Sequence, residues 1–502
     1  MTILICGASG LVGKELCKLL EKKKIIYYGT YNSNKIDKKN MFKIDFLNLN
    51  TIEKFLKSKE ITCCVFLIVQ RLTDVCENNW NETKKINIEM VNNTSFICDK
   101  LNIKFIHLST DYVFDGIKQP NYPTSLTNPL QNYGISKLLS EHKVMRNCKK
   151  YCIIRTPVLY SSLSKIHNNA VTLIAKNIMD LRKKERKEDN YCIRRPVYIP
   201  DLCEFIIYCF QENINGLYHF YNPINKCTKY KIGTIISQFL NIDYNHITPN
   251  NKTGEGLAAR PYDTQLFDKK YNINDFYFTD FKDTIKYCFN RFKHPSLKTN
   301  ARDFFLLIDL DGTLINSNLA HYNSYRAVFK ERNTNFITFN EWNKLVENNT
   351  INKFIIKKFG IENLPIIKSK KYEKYKKYNI QFSKNCEKFL NFIIKYNINY
   401  CIVTNSSINS VKINKQKLPL LQKLTKWVIR EDYHLPKPNS ECYQLAVKKY
   451  YNNEKFIVGI EDTYSGFLAL KNITNIIFIN NNINLFKNED CYLFDDFNQI
   501  LN

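Results

Sequence analysis

The stretch that most restricts this chain stands at its start. Thr2-Ile-Leu-Ile-Cys6 reads as a short buried strand, and Gly7-Ala8-Ser9-Gly10-Leu11-Val12-Gly13 as a glycine-rich turn. The residues through Leu20 read as an amphipathic helix. Glycines let the backbone bend and approach a pyrophosphate closely, and a helix N-terminus offers free N–H groups and a partial positive charge. Strand, turn and helix in this order point to an α/β domain of the Rossmann kind. Its cofactor-binding candidates are Gly7, Ser9, Gly10, Leu11, Val12 and Gly13, in Gly-x-x-Gly-x-x-Gly spacing. The second strand pattern, Ile25 to Tyr28, runs into Gly29-Thr30-Tyr31-Asn32-Ser33-Asn34-Lys35. No acidic residue stands there to bind the ribose hydroxyls of NAD. Small polar groups, Asn32 and Ser33 among them, and a lysine suit a 2′-phosphate, so NADP is the expected cofactor. Asp45, after the third strand pattern, reads either as a cap on the adenine amino group or as a turn aspartate.

With 502 residues, the chain has room for two or three domains, each with a core. No apolar run reaches the ~20 residues that span a bilayer, and a strand at Thr2 leaves no space for a signal peptide. The 17 cysteines form no CxxC pair, which suggests reduced thiols in the cytoplasm and neither disulfides nor zinc. The formal net charge of +27 is spread along the chain. Its densest runs, Arg182 to Asp189 and Lys368 to Lys377, read as solvated helix faces or loops. A basic stripe with a reading motif is missing, so nucleic acid is not the expected partner. Anionic small substrates would benefit from the positive field.

The run Ile106 to Lys137 carries the first chemistry. An apolar strand, Lys104 to Leu108, stops at Ser109 and Thr110; a Pro- and Asn-rich loop leads to a helix bearing Tyr133 and Lys137. Spacing i, i+4 puts phenol and ammonium on one helix face. A free tyrosine has a pKa near ~10, and a neighbouring ammonium favours its ionised form. Thr110, Tyr133 and Lys137 thus make a proton-donating set for reducing a carbonyl.

These motifs resemble the extended short-chain dehydrogenase/reductases, specifically the dTDP-4-dehydrorhamnose reductase group. The resemblance rests on the GASGLVG loop, STDYVFDG at Ser109 to Gly116 and Tyr133-Gly-Ile-Ser-Lys137. It extends through Arg155-Thr156-Pro157, RRPVYIPDL from Arg194, Gly216-Leu-Tyr-His219 and Ala259-Arg260-Pro261. It implies Thr110, Tyr133 and Lys137 as catalytic residues, a structural and catalytic role for Asn87, and NADPH as hydride donor. The implied substrate is a 4-keto-6-deoxy sugar on a nucleoside diphosphate, faced by Asp111 and Arg260, and a homodimer is conceivable. Two departures stand out: Ile68-Val69-Gln70-Arg71 replaces the usual cofactor loop, and Pro123-Thr124-Ser125 replaces an acidic residue that shapes the sugar pocket. A related subgroup, the regulatory subunit of methionine adenosyltransferase, keeps the fold and NADP while serving as a partner protein. It supplies the alternative reading.

A polar linker, Lys293 to Arg302, separates this domain (1–292) from a second, 303–502. A strand at Phe304 to Ile308 ends in Asp309-Leu310-Asp311-Gly312-Thr313-Leu314. Two carboxylates at i and i+2 on a strand tip point to one side, where one attacks phosphorus, the other moves protons and both share a Mg²⁺. Thr404, Lys437, Glu461 and Asp462 fall at or near further strand ends. In this order they resemble the four motifs of the haloacid dehalogenase-like hydrolases, a Rossmannoid fold. The resemblance implies Asp309 as nucleophile, Asp311 as acid/base, and Thr404 and Lys437 as phosphate binders. The metal ligands it implies are Asp309, Asp311, Glu461 and Asp462. Residues 317–397 resemble the helical cap of the phosphoglucomutase- and phosphoglycolate phosphatase-like subgroup, so a small phosphomonoester such as a sugar phosphate is the expected substrate. Phosphatase and phosphomutase both remain open. The whole reads as a reductase fused to a phosphatase.

Overall fold

The computed structural model describes residues 2–33, 36–162, 169–252, 257–269, 276, 278–293, 297, 300–347, 350–480, 486 and 489–501. It divides into two compact units, Met1–Ile178 with Glu185–Asn290, and Met179–Lys184 with Arg291–Asn502. No helix among the described residues is long and apolar enough to cross a membrane.

The first unit holds strands β1 (Ile3–Cys6), β2 (Tyr27–Tyr31), β3 (Met41–Lys43), β4 (Cys63–Phe66), β5 (Lys104–Thr110), β6 (Tyr151–Thr156), β7 (Leu159–Tyr160), β8 (Arg186–Asp189), β9 (Val197–Tyr198), β10 (Gly216–His219) and β11 (Ile247–Asn250). Seven of them form a parallel sheet in the order β10-β6-β5-β4-β1-β2-β3. Both faces are covered, which is why β1 and β4 read as unbroken apolar runs. Alternate side chains serve opposite faces. Ile3, Ile5 and Val65 pack with Leu202, Phe205 and Ile206, while Leu4, Cys64 and Phe66 pack with Ile52, Leu56 and Val91. Strand order reverses between β1 and β4, and ligands of such sheets bind beyond the strand ends at that switch point.

The helical run from Trp80 to Lys100 contains a π-helical turn, Lys85–Glu89, with Asn87 inside it. Asn87 is fully buried; it accepts from the Gln70 N–H at 2.7 Å and donates to the Gln70 carbonyl at 3.1 Å and to Ser136 Oγ at 2.9 Å. One side chain therefore ties the loop after β4 to the helix Asn132–Asn147.

The charge run from Arg182 keeps Lys183, Lys184, Glu185 and Lys187 exposed, as the sequence suggests, but it is anchored at both ends. Arg182 pairs with Asp180 at 2.7 Å, both well buried, and Arg186–Asp189 forms β8, paired with β11.

In the second unit β12 (Phe304–Ile308), β13 (Asn399–Val403), β14 (Trp427–Val428), β15 (Phe456–Glu461), β16 (Ile476–Ile479) and β17 (Tyr492–Leu493) form a parallel sheet ordered β14-β13-β12-β15-β16-β17. The short segment Met179–Lys184 belongs here because it bonds to Leu493 through Leu181 N–H and Met179 C=O. Between β12 and β13, the helices Asn318–Glu331, Phe339–Glu347, Ile351–Phe359 and Leu364–Tyr375 enclose a separate core of Tyr322, Tyr325, Phe329, Trp342, Ile355 and Ile367. The helix Cys386–Lys395, within the stretch read as cap, instead sets Phe389 on Phe497, 4.8 Å between ring centres.

Beneath the first sheet's edge, Arg155 grips Glu141 with Nε at 3.0 Å and Nη2 at 2.7 Å, and Ser109 also donates to Glu141. Both charges are buried, so removing one strands the other. Arg155→Met is expected to cost about 3–5 kcal/mol. Glu141→Leu/Arg155→Met should recover most of that loss in thermal melts. A double variant no more stable than the single one would show that the pair does more than neutralise itself.

Candidate active sites

The glycine turn closes tightly on itself. Gly7 has φ +92° in the left-handed region, its N–H donates to Thr30 Oγ1 at 3.0 Å, and Gly10 N–H returns to Gly7 C=O at 3.0 Å. A Cβ on Gly13 would strike the Gly7 carbonyl and lie 2.7 Å from Ala8 Cα, both backbone, so only glycine fits. The helix Leu11–Lys22 starts here without a side-chain cap, and Ser9, Gly10, Leu11 and Val12 remain accessible. This cradle fits a pyrophosphate. Asn32 and Ser33 lie exposed after β2, and Lys35 lies outside the described residues. Asp45 Oδ1 accepts the Leu47 N–H at 2.9 Å, the turn role of the two that the sequence left open.

Thr110 ends β5, buried, donating to Asp111 Oδ1 at 3.1 Å and accepting the Tyr112 N–H at 3.2 Å. Burial pushes the Tyr133 phenol well above the usual tyrosine range, offset in part by the adjacent Thr110 hydroxyl. Lys137 behaves differently from the expectation. Its stem runs inward and Nζ lies 3.2 Å from His107 Nε2, on the buried face of β5. Burial brings this ammonium down to about 8, and it is not a leading influence on Tyr133. The i, i+4 spacing set two Cβ atoms on one helix face; a four-carbon stem then followed the buried imidazole. His107 was not singled out in the sequence, though a lone histidine inside an apolar strand was the available signal.

Asp111 also accepts from Thr264 Oγ1, and burial raises its carboxyl to about 6, with Thr264 and Arg194 opposing. Arg260 does not hydrogen-bond Asp111. Its guanidinium donates to Asp74 Oδ1 at 3.2 Å and to the Ala258 carbonyl at 2.5 Å, while its charge reaches Tyr112. Arg71, from the departing loop, faces Tyr133, and Arg194 acts on Tyr112. The rings of Tyr112 and Tyr133 meet edge-on at 6.3 Å. Cations around a phenol suit an anionic ligand.

In the second unit the acids gather at the ends of β12 and β15. Asp309 Oδ1 accepts Lys437 Nζ at 2.5 Å, and Lys437 also donates to Glu461 at 2.7 Å and to the Val403 carbonyl at 3.0 Å. Asp309 Oδ2 is buried without a hydrogen-bond partner among the described residues. Carboxylate oxygens of Asp309, Glu461 and Asp462 lie within 4.8 Å of one another. Burial, Glu461 and Asp309 push Asp462 far up, and a divalent cation would relieve that repulsion. Hard oxygens in this arrangement fit Mg²⁺. Gly312, at φ +91°, leaves the space that Asp462 occupies, for a Cβ there would meet Asp462 Oδ2.

Glu461 is largely engaged elsewhere: besides Lys437 it accepts from the Asp462 and Thr463 N–H groups at 2.9 and 3.0 Å and from Tyr443 at 3.1 Å. Asp311, expected among the metal ligands, does not join this carboxylate cluster. Its oxygens take Ser317 at 2.6 Å, Ser406 at 2.7 Å, Thr404 at 3.2 Å and His321 at 3.4 Å. Burial alone would raise this carboxyl, but His321, Ser317 and Ser406 outweigh it and hold it far below the usual range. Thr404, expected on a phosphate, faces Asp311 instead. Ser317, His321 and Ser406 are site residues that the motifs did not name.

Residues 1–294 match the RmlD substrate binding domain, and residues 306–479 match the haloacid dehalogenase-like hydrolases. The chain belongs to the RmlD substrate-binding family. Its second unit is a haloacid dehalogenase-like hydrolase domain. The RmlD-type unit is 25% identical over 271 residues to methionine adenosyltransferase 2 subunit beta of Xenopus tropicalis, spanning 52% of this chain and 79% of that protein. It is also similar to a solved dTDP-4-dehydrorhamnose reductase of Clostridium acetobutylicum (26% identity, 53% of this chain, 89% of that one, TM-score 0.46). A second similar structure is the Bacillus anthracis dTDP-4-dehydrorhamnose reductase in complex with NADP (23% identity, 58% and 98% coverage, TM-score 0.49).

Asp111 in the RmlD-type unit gives a pH test. A carboxyl raised on folding adds stability that is full below its unfolded pKa near ~4 and lost as pH rises through the folded value. Asp111→Asn is therefore expected to stabilise the protein above pH 6, by up to about 3 kcal/mol, with the gap closing near pH 4. Denaturant melts from pH 4.5 to 7.5 check this; a gap independent of pH contradicts it.

Proposed function

We propose that the chain joins an NADPH-dependent reductase of nucleotide-linked 4-keto-6-deoxy sugars to a Mg²⁺-dependent phosphatase of small phosphomonoesters. The hydrolytic half rests on Asp309 Oδ2, a buried carboxylate oxygen with no hydrogen-bond partner among the described residues, set beside a carboxylate cluster at a strand end. The reductive half is supported by Thr110 beside Tyr133 next to the glycine cradle's sheet edge.

In the RmlD-type unit, the still-protonated Tyr133 phenol gives its proton to the ketone oxygen, and Thr110 hydrogen-bonds that oxygen. Lys137, near 8, holds an exchangeable proton one helical turn away. Arg71 and Arg260 supply charge for the diphosphate. NADPH, held at the Gly7 to Gly13 turn, would supply the hydride. In the hydrolase unit, Asp309 Oδ2 attacks phosphorus while Lys437 orients its other oxygen. Asp311, held ionised, takes a proton from the water that hydrolyses the aspartyl-phosphate. Mg²⁺ at Asp309 and Asp462 would offset the charge of the phosphoryl group.

The inward turn of Lys137 towards His107 favours a second reading, in which the RmlD-type unit binds NADP and acts as a regulatory partner. The similarity to methionine adenosyltransferase 2 subunit beta supports the same reading.

NADPH oxidation with dTDP- and UDP-linked 4-keto-6-deoxyhexoses separates the two. Tyr133→Phe is expected to lower turnover at least about 100-fold, as loss of a general acid does. Tight NADPH binding without turnover would favour the regulatory reading. In the hydrolase unit, Asp309→Asn should abolish Mg²⁺-dependent hydrolysis of p-nitrophenyl phosphate; surviving activity would overturn the nucleophile assignment.

A further inference from the structure

Cys6 is the last residue of β1, and Gly7, where the glycine cradle begins, follows it directly. Its Sγ lies 3.4 Å from Cys64 Sγ on the neighbouring β4, and neither residue is exposed at all. Cys98, from the helix Met90–Lys100, is the other thiol beside Cys64, in the same core layer. S–H groups directed at one sulfur favour a charge on it, so Cys6 and then Cys98 bring the Cys64 thiol down against burial. A nucleophilic sulfur therefore has a second sulfur in contact with it, one residue from the cofactor turn.

The strand register decides what a bond between the two sulfurs does to the backbone. Leu4 stands opposite Cys64, and Cys6 stands opposite Phe66. Strands lie ~4.8 Å apart and rise ~3.3 Å per residue, so an offset of two residues separates the Cys6 and Cys64 Cα atoms by roughly 8 Å. A disulfide holds its Cα atoms about 4.4–6.8 Å apart, so these sulfurs join only if the backbone moves. Cys64 lies inside β4, which is laddered to β1 on one side and to β5 on the other, whereas Cys6 is a strand end. Cys6 is the side that yields, and its movement passes to Gly7. The cradle has no slack there. Gly7 N–H is held by Thr30 Oγ1 at 3.0 Å, and a Cβ on Gly7 would come within 3.3 Å of the Ile68 main-chain nitrogen. The Gly7 carbonyl takes the Gly10 N–H at 3.0 Å and packs so closely on Gly13 that a Cβ there would strike it.

We propose that Cys6 and Cys64 form a reversible disulfide that distorts the glycine cradle, so that a hydroperoxide turns off NADPH binding by the RmlD-type unit. This rests on reading the Gly7 to Gly13 turn as the cofactor site. The Cys64 thiolate attacks one oxygen of hydrogen peroxide, the O–O bond breaks, hydroxide leaves and the sulfur becomes a sulfenic acid. The Cys6 sulfur then displaces the sulfenic OH, and the S–S bond forms. Two thiols have given up two electrons and two protons, and one peroxide has become two waters. A dithiol reverses the step by exchange. Both sulfurs are buried, so the oxidant reaches them during local opening and the reaction is slow.

The full-length protein, treated with hydrogen peroxide or with dithiothreitol, is titrated with NADPH in a calorimeter. Oxidation should weaken binding at least about tenfold, the equivalent of one hydrogen bond to a charged group, and dithiothreitol should restore it. Alkylation and peptide mapping by mass spectrometry should find Cys6 joined to Cys64. Each variant is compared with itself before and after peroxide: Cys6→Ala and Cys64→Ala should become insensitive, and Cys98→Ala should keep the loss. An oxidised, folded protein without a Cys6–Cys64 bond overturns the proposal with no variant needed, and so does the bond with unchanged NADPH affinity. An equal loss in Cys64→Ala also overturns it, because other thiols or methionines would then carry the effect. Sensitivity abolished by Cys98→Ala moves the bond to Cys98 and overturns the assignment to Cys6. If the reduced protein binds no NADPH, the cofactor reading fails, and the mapped bond alone decides whether the thiol pair is reactive.

Discussion

A parallel strand spends its backbone on its neighbours and releases its last side chains at one edge, and both units put their chemistry there. In the hydrolase unit the register pairs Ile308 with Ile460, and the Asp309 N–H donates to the Ile460 carbonyl at 2.9 Å. Asp309 and Glu461 are therefore held abreast by main-chain bonds that their own repulsion cannot easily undo. Ile308 also pairs with Ile402, which brings the Thr404 to Ser406 turn to the other flank, against Asp311. The all-buried sequence of β12 is what makes this placement firm, because a strand covered on both faces has no free register.

That arrangement concentrates negative charge, and Lys437 makes it tolerable. Its ammonium is buried yet held strongly protonated: burial opposes the charge, and Asp309 and Glu461 outweigh burial. Asp309 Oδ2 has no hydrogen-bond partner among the described residues, and Asp462 Oδ1 accepts from Thr313 at 3.2 Å. The second carboxylate of the Asp-x-Asp pair follows a different rule. Asp311 is wrapped in hydroxyls and an imidazole that keep it ionised. Asp309, two residues earlier, is instead pushed up by burial, with Lys437 opposing, so two carboxyls at one strand tip are held in different states.

Much of this was legible in the chain because it depended on the strand, the turn and the residue at the strand's end. Gly7, Thr110, Asp309, Thr404 and Glu461 all follow apolar runs, and an apolar run that stops at a polar residue announces its tip. What was not legible depended on long side chains. Lys371 and Lys374 sit in one lysine-rich helix, yet one is buried among tyrosines and the other pairs with Glu331. Charge pattern does not tell them apart; the Tyr325 and Tyr375 rings that do so come from different helices. The Met179–Lys184 segment was hidden for a related reason. Its place is set by main-chain bonds to Leu493, and such bonds leave no mark in side-chain pattern.

Lys137 is the sharpest of these cases, because the hydrogen bond that turns it inward conflicts with its surroundings. Ser140 Oγ donates to the Lys137 carbonyl at 2.7 Å, so its proton is spent, and it meets His107 Nε2 at 2.9 Å as an acceptor. That contact requires a proton on Nε2. The Lys137 ammonium at 3.2 Å requires the same nitrogen to be bare. Putting the imidazole proton on Nδ1 satisfies the lysine but leaves a buried N–H with no partner among the described residues. Keeping it on Nε2 satisfies Ser140, leaves only a lone pair unmatched at Nδ1, and deprives the charged lysine of its acceptor. Orphaned donors are the rarer and costlier defect. The imidazole is thus better served when Lys137 turns away. A hydroxyl offered to Nζ from the cleft therefore competes against a contact that carries its own penalty, and the inward pose is compatible with a lysine that serves Tyr133 once the cleft is filled.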